Sequence, residues 1–297
     1  MNNDVEWTAV TNSLGTLKPV DGGFTNAKRG IISLPDDKKL FIKIGVDPIT
    51  NEWAKKEVSI YKALRKYGYN YLPELLSTNK DETGFALEIL DSVNGWQWET
   101  PWSNERLTKT LEAMDALAEI PINIFESKIF GGDPDDINVN PWIMPDLDNE
   151  AKEILIDKLI NIGINKLVSE LETLRKEFSF ASSDKRMVHY DVRRDNCAWH
   201  KELNEVKLID WNWLHLGSRE IDVNALLVNV YKSGLNPLMN FSSRLDRGAL
   251  LWLCGYWLSS SIKPGESSMS DHVSLRSYQF DSAIAAYTLA SQLESSI

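Results

Sequence analysis

The sequence predicts an α+β chain of two lobes: a small N-terminal β-sheet lobe with one helix, then a larger, mainly helical C-terminal lobe. Three observations predict it. The first 91 residues hold short β-branched and aromatic runs divided by Gly, Pro and Asp turns. From Glu105 onward, apolar residues recur at helical spacing over long stretches. Between them, Asp91 to Gly95 has turn chemistry and marks a hinge at about 88–95. The lobes are read as 1–91 and 92–297. A chain of 297 residues that is 43% hydrophobic is long enough to bury a core in both.

The elements follow in order. A glycine turn, Asp21-Gly22-Gly23-Phe24-Thr25-Asn26, separates a first strand from a second over Ala27 to Leu34, which holds Ile31 and Ile32. Pro35-Asp36-Asp37 is a turn, and Leu40 to Ile44 is an apolar strand interrupted by one charge, Lys43. Thr50 or Asn51 caps a helix that runs to about Tyr67 and stops at Gly68, with Val58, Tyr61, Leu64 and Arg65 at helical spacing. Phe85 to Leu90 is a further strand. Beyond the hinge, Glu105 to Ile120 places Leu107, Leu111, Met114, Leu117 and Ala118 on one face. Asn149 to about Phe178 reads as one long amphipathic helix carrying Ile154, Leu155, Leu159, Ile162, Ile164 and Leu167. Asp222 to Tyr231, Arg244 to Ser261 and Asp271 to Ser295 read as three more. An irregular acidic insertion with Asp133, Asp135 and Asp136 lies between Pro121 and Pro145.

Composition narrows the function classes. A formal net charge of -11 disfavours a nucleic-acid backbone as partner, because that partner selects a basic face. Two cysteines, Cys197 and Cys254, make no disulfide framework, and Cys197 reads as a small buried hydrophobe. The first residues show no basic segment followed by an apolar one, and the apolar stretch from Leu250 to Ser261 is too short to span a bilayer. The expectation is a cytoplasmic protein, monomeric or homodimeric, that engages neither membrane nor nucleic acid.

The chemistry is concentrated in two short runs. His189-Tyr190-Asp191-Val192-Arg193-Arg194-Asp195-Asn196 spaces an acid and an amide five residues apart, and Ile209-Asp210-Trp211 adds a second acid after an apolar run. Phosphoryl transfer needs this set: one carboxylate to take the proton of an acceptor hydroxyl, and an amide and a second carboxylate to hold magnesium. Asp191 is the candidate base, and Asn196 and Asp210 are candidate metal ligands. Hard oxygen donors suit magnesium. Lys43, inside an apolar strand, needs a partner, since a buried lone ammonium is costly. Glu57 is the candidate, with Glu52 as the alternative; on the solvent face of an edge strand, Lys43 would need neither. Gly22 and Gly23 would let backbone amides approach phosphates. The backbone of Glu88 and Leu90, where a strand enters the hinge, would offer a carbonyl and an amide to an adenine edge. Trp96, Trp98, Trp102, Trp211 and Trp213 are read either as core or as walls of an acceptor pocket.

These residues give the chain a resemblance. Val-His-Tyr-Asp-Val-Arg-Arg-Asp-Asn from Val188, Leu-Ile-Asp-Trp-Asn-Trp from Leu208 and Gly217 to Asp222 resemble the aminoglycoside phosphotransferase family, which is similar in fold to choline kinases and protein kinases. The resemblance implies a protein-kinase-like fold. It also implies transfer of the γ-phosphate of ATP, or GTP, with magnesium, to a hydroxyl of a small molecule such as an aminoglycoside, an amino alcohol or a sugar-like metabolite. In it Asp191 is the base, Asn196 and Asp210 hold magnesium, and Lys43 binds phosphate with Glu57 as its partner. Leu87 precedes a hinge in which Glu88 and Leu90 meet adenine, and His189 and Asp222 shape the catalytic loop. Better-known members usually carry Gly at the position of Tyr190 and His-Pro-Gly where Arg193-Arg194-Asp195 stand. The rival reading is a catalytically inactive nucleotide-binding or interaction module on the same fold.

Overall fold

The fold is described from a computed structural model over residues 5–20, 26–98, 100–121, 140–144, 149–182, 185–263 and 272–294. In chain order the elements are α1 (Trp7–Asn12), β1 (Lys18–Pro19), β2 (Lys28–Ser33), β3 (Lys39–Ile44), α2 (Pro48–Lys66), β4 (Leu75–Thr78), β5 (Gly84–Glu88), β6 (Trp96–Gln97) and α3 (Asn104–Ala118). They continue as α4 (Asn149–Asn161), α5 (Asn165–Glu177), β7 (Lys185–Val188), β8 (Cys197–His200), β9 (Glu205–Leu208) and β10 (His215–Ser218). The last are α6 (Arg219–Lys232), α7 (Pro237–Asn240), α8 (Arg247–Ser261) and α9 (His272–Glu294). The chain forms two compact units. One comprises Met1–Gly131, Arg194–His215 and Ser268–Ser270; the other comprises Gly132–Arg193, Leu216–Ser267 and Asp271–Ile297.

The first unit is organised by an antiparallel sheet of order β1-β2-β3-β5-β4. Strand alternation gives β3 two faces. Leu40 and Ile42 point to one, where they join Ile32, Ala86, Leu76 and Val10 in a buried cluster. Lys43 points to the other and pairs across the ladder with Phe85. Helix α2 lies on that second face, its Tyr61 ring 5.9 Å from Phe85. The buried stripe of α2 runs Ala54, Glu57, Val58, Tyr61 and Leu64, the three- and four-residue spacing of a helix packed along one side. A smaller sheet of order β6-β8-β9 completes the ladders of this unit.

The cap of α2 differs from the sequence reading. Asp47, not Thr50 or Asn51, is the N-cap. Its carboxylate accepts from the Thr50 amide at 2.8 Å, and the Thr50 hydroxyl accepts in return from the Asp47 amide at 3.1 Å. Pro48 at the first helical position fixes this start, because its preset φ suits a helix N-terminus and it has no amide to leave unbonded. Gly68, at φ 76°, follows the last turn as read.

The core of the second unit centres on α8, whose run from Ala249 to Gly255 is buried, as is Leu258, with Tyr256 exposed. Leu250, Cys254 and Leu258 meet Ala283, Ala286 and Leu289 of α9, with Val228 of α6 and Trp142 in the same cluster. The long helix expected over Asn149 to Phe178 is two helices. Gly163, at φ 80°, ends α4, and the amide of Ile164 reaches back to the carbonyl of Leu159 at 3.0 Å. That back-reaching bond is the Schellman arrangement a left-handed glycine permits. Ile162, at the break, is exposed, and so is Ile154 on the outer face of α4, while Leu155, Leu159 and Leu167 are buried as expected. Among the described residues, no helix is long and apolar enough to cross a membrane.

Candidate functional site

Lys43 is buried and bonds two carboxylates, Glu57 Oε2 at 2.6 Å and Asp210 Oδ1 at 3.1 Å. Its place follows from the preceding geometry: the odd face of β3 is covered by α2, and Glu57 falls on the buried stripe of that helix. Glu52, the alternative partner, is 70% exposed and pairs with Lys55 at 2.7 Å. Asn212 Nδ2 donates to Asp210 Oδ1 at 3.0 Å and to Glu57 Oε2 at 3.4 Å, closing a four-residue network. Burial pulls the Lys43 pKa down, but Asp210 and Glu57 outweigh it and hold the ammonium above its ordinary value. Burial pushes Glu57 up; Lys43 opposes that shift and Asp210 adds to it. The direction that matters is that Lys43 stays charged, since both carboxylates lie within bonding distance. With both acids ionised, one ammonium faces two carboxylates and the network is net negative.

Asn196 reaches the same neighbourhood by way of a hairpin. Strands β8 and β9 pair antiparallel, with Cys197 opposite Leu208, and the Asn196 carbonyl accepts from the Ile209 amide at 3.0 Å. One step out from the Cys197–Leu208 pair Asn196 therefore stands opposite Ile209, and Asp210 follows Ile209 at the same hairpin end. Asp210 itself sits at φ 63°, a left-handed backbone that turns the chain sharply out of β9. Asn196 is buried and Asp210 is about one-third exposed.

One residue that organises this end was missed in the sequence. Arg106, on α3, is fully buried, and among the described residues its guanidinium bonds oxygens of the backbone and of Thr100. It donates to the carbonyls of Thr100 at 2.6 Å, Arg194 at 3.0 Å and Cys197 at 2.5 Å, and it lies over the Trp102 ring at 4.4 Å. It therefore braces the chain on both sides of Asn196. The available signal was an arginine on the apolar stripe of a helix, one position before Leu107. Arg106→Met is expected to destabilise the protein by about 3 kcal/mol, because each buried acceptor left without a donor costs about 1–3 kcal/mol. Urea denaturation measures it, and an unchanged midpoint would show that the brace carries no energy.

Asp191 belongs to the second unit, in the turn after β7. Its amide donates to His189 Nδ1 at 3.3 Å, and its Oδ1 lies 3.1 Å from Arg193 Nε. The turn is tied to α6 by Asp222, whose two carboxylate oxygens accept from the amides of His189 at 3.0 Å and Tyr190 at 2.8 Å. Burial raises the Asp222 pKa to about 7, against the lowering effect of those amides. Tyr190 adopts φ 57°, a conformation that favours glycine, and its hydroxyl accepts from the Ser218 amide at 2.8 Å. Gly217 makes room for it: a Cβ there would lie 2.6 Å from the Tyr190 oxygen.

Where β5 ends, the Glu88 amide donates to the Glu74 carbonyl at 2.9 Å, and the Leu90 carbonyl accepts from Trp98 Nε1 at 2.5 Å. The Glu88 carboxylate accepts from the Glu74 amide and pairs with Lys207. Trp96, Trp102 and Trp211 are buried, Trp98 packs half-buried against Leu90, Trp96 and Ala198, and Trp213 is 61% exposed, so four of the five tryptophans serve packing. Gly22 and Gly23, and the acidic insertion with Asp133, Asp135 and Asp136, lie outside the described residues.

No family model matches the sequence, and no curated protein matches it significantly. Solved structures do. Choline kinase LicA from Streptococcus pneumoniae is similar with a TM-score of 0.55 at 15% identity, covering 95% of this chain and 97% of that one. An ethanolamine kinase from Plasmodium vivax has a TM-score of 0.54 at 14% identity, covering 90% and 81%. The aminoglycoside phosphotransferase APH(2")-IIa, in a ternary complex with streptomycin and ATP, has a TM-score of 0.51 at 14% identity, covering 96% and 95%. At these identities the likeness establishes the fold. The chain has the protein-kinase-like α+β fold shared by choline and ethanolamine kinases and aminoglycoside phosphotransferases, as the sequence resemblance implied.

Proposed function

We propose that the protein is a magnesium-dependent phosphotransferase that moves the γ-phosphate of ATP or GTP to a hydroxyl of a small molecule. The observation that carries this reading is the buried Lys43–Glu57–Asp210 network with Asn196 at the same hairpin end. Lys43 would engage the nucleotide phosphates while Glu57 fixes its ammonium. Asn196 and Asp210 would hold magnesium. The donor set fits: magnesium commonly takes one or two protein carboxylates and completes its shell with phosphate oxygens and water. Among the described residues no three His, Cys, Asp or Glu side chains cluster as a protein-only cage, which agrees with an ion that arrives with the nucleotide. Bound there, the ion supplies neutralisation of phosphate charge.

Asp191 would orient the acceptor hydroxyl and take its proton. It precedes Asn196 by five residues, a span of at most about 18 Å of extended chain. The Glu88 carbonyl and the Leu90 amide would read the adenine edge, and Gly22 and Gly23 would offer amides to phosphate. The lobe boundary at 91/92, with its hinge at 88–95, belongs to the same reading, as do a cytoplasmic setting and a monomeric or homodimeric state. ATP stands in one of the related complexes and AMP in another, with LicA. The acceptor classes to test begin with those named for the related structures, choline, ethanolamine and aminoglycosides. Purified protein with magnesium and either nucleotide is expected to release ADP or GDP in an acceptor-dependent way, with the phosphorylated product seen by mass spectrometry. No turnover with any acceptor, together with no magnesium-dependent nucleotide binding, would overturn the proposal.

A further inference from the structure

Beside Asp191 the second unit gathers positive charge in a chain of net charge -11. Arg193, whose Nε faces Asp191, lies with its guanidinium carbon 5.8 Å from the centre of the Tyr278 ring. Lys232, the last residue of α6, holds its ammonium 3.7 Å from the same centre. The hydrogen bonds of Lys232 go to neutral oxygens, the Tyr278 carbonyl at 3.2 Å and Ser282 Oγ at 2.8 Å. Asn229 Nδ2 donates to the Tyr278 hydroxyl at 3.2 Å and so fixes the ring. Burial, opposed by the attraction of the exposed Asp281 and reinforced by repulsion from Arg193, pulls Lys232 down to about 8. What lowers Lys232 most is burial, which disfavours its charged form, and an anion bound against the two half-buried cations would offset that cost.

We propose that the acceptor carries an anionic group, a phosphate or a carboxylate, that seats against Arg193 and Lys232 at the Tyr278 ring. The claim rests on the phosphotransferase reading, because Arg193 links the cation pair to Asp191. An anion bound there is a substituent of the molecule whose hydroxyl meets that carboxylate. A charged hydrogen-bond partner contributes about 1.5–3 kcal/mol, so loss of the lysine is read as roughly a tenfold or larger effect.

The test joins binding to turnover on the full chain. Inorganic sulfate, titrated by calorimetry at low ionic strength, is expected to bind wild type about tenfold more tightly than Lys232→Met. Lys232→Arg is expected to retain most of the affinity and Asp281→Asn to gain some; circular dichroism confirms that each variant is folded. In turnover, acceptors are compared in matched pairs, the same hydroxyl skeleton with and without a phosphate or carboxylate. The anionic member is expected to have the higher kcat/KM, and Lys232→Met to lose that preference through KM rather than kcat. Equal sulfate binding by wild type and Lys232→Met overturns the subsite, as does a preference for cationic acceptors. Displacement of sulfate by magnesium nucleotide also overturns it, by assigning the anion to the nucleotide's own phosphate. Failure of every acceptor to react, with sulfate binding still dependent on Lys232, overturns the phosphotransferase reading and leaves the anion site standing.

Discussion

Asp191→Ala is expected to lower turnover about 10²- to 10⁴-fold, the range in which a positioned proton acceptor contributes, and to leave nucleotide affinity nearly unchanged. The split is expected because the turn that carries Asp191 does not depend on its carboxylate. Asp222 holds the turn through the amides of His189 and Tyr190, and the Tyr190 hydroxyl holds it to Ser218. Arg193, whose Nε lies 3.1 Å from the carboxylate, loses that contact in the variant. Asp191→Asn keeps a neutral oxygen near that guanidinium and removes the base. The two variants should therefore match in turnover and differ, if at all, in stability. Stopped-time assays under saturating acceptor, with nucleotide titrated separately, measure both quantities. Near-normal turnover in either variant would remove Asp191 from the chemistry, and equal losses of turnover and nucleotide binding would make it a structural residue.

The sequence made the sheet and the acid–amide spacing legible because both are local. Strand alternation in Leu40 to Ile44 and the helix stop at Gly68 are set within a few residues, and β3 and the end of α2 stand where they were read. The Lys43–Glu57 pair was also readable, since a charge inside an apolar strand needs a partner from whatever covers that face. Arg106 was not readable. Its partners are backbone carbonyls of Arg194 and Cys197, distant in sequence, and a carbonyl leaves no trace in residue type. The break at Gly163 was hidden by isoleucines on both sides, which continue an apolar pattern through a turn that leaves Ile162 exposed. Tyr190 shows the same limit from another side. The chain holds a bulky residue at positive φ, and Gly217, twenty-seven positions later, supplies the space for its ring. Asp210 also sits at positive φ, so two residues of the runs singled out for phosphoryl transfer carry backbone strain that their surroundings must hold.

Asp210→Ala should abolish magnesium-dependent nucleotide binding while leaving a folded protein. The variant removes one of the two carboxylates on Lys43 and keeps Glu57 Oε2 at 2.6 Å, so the buried ammonium remains paired. Breaking a buried pair outright costs about 3–5 kcal/mol, and this substitution avoids that cost because Glu57 persists. What disappears is the net negative charge of the network and the only carboxylate proposed as a ligand, leaving the Asn196 amide, a neutral donor, to face the ion. Wild type at a nucleotide concentration one hundred times its dissociation constant is expected to gain about 2.7 kcal/mol of stability. Asp210→Ala should show no such gain with magnesium nucleotide, and its unliganded melting temperature should stay close to wild type. A full ligand-induced shift in the variant would mean that the cation and triphosphate are held elsewhere. The Lys43–Glu57–Asp210 network would then be a structural ion cluster, and the proposal of phosphoryl transfer would lose the observation it stands on.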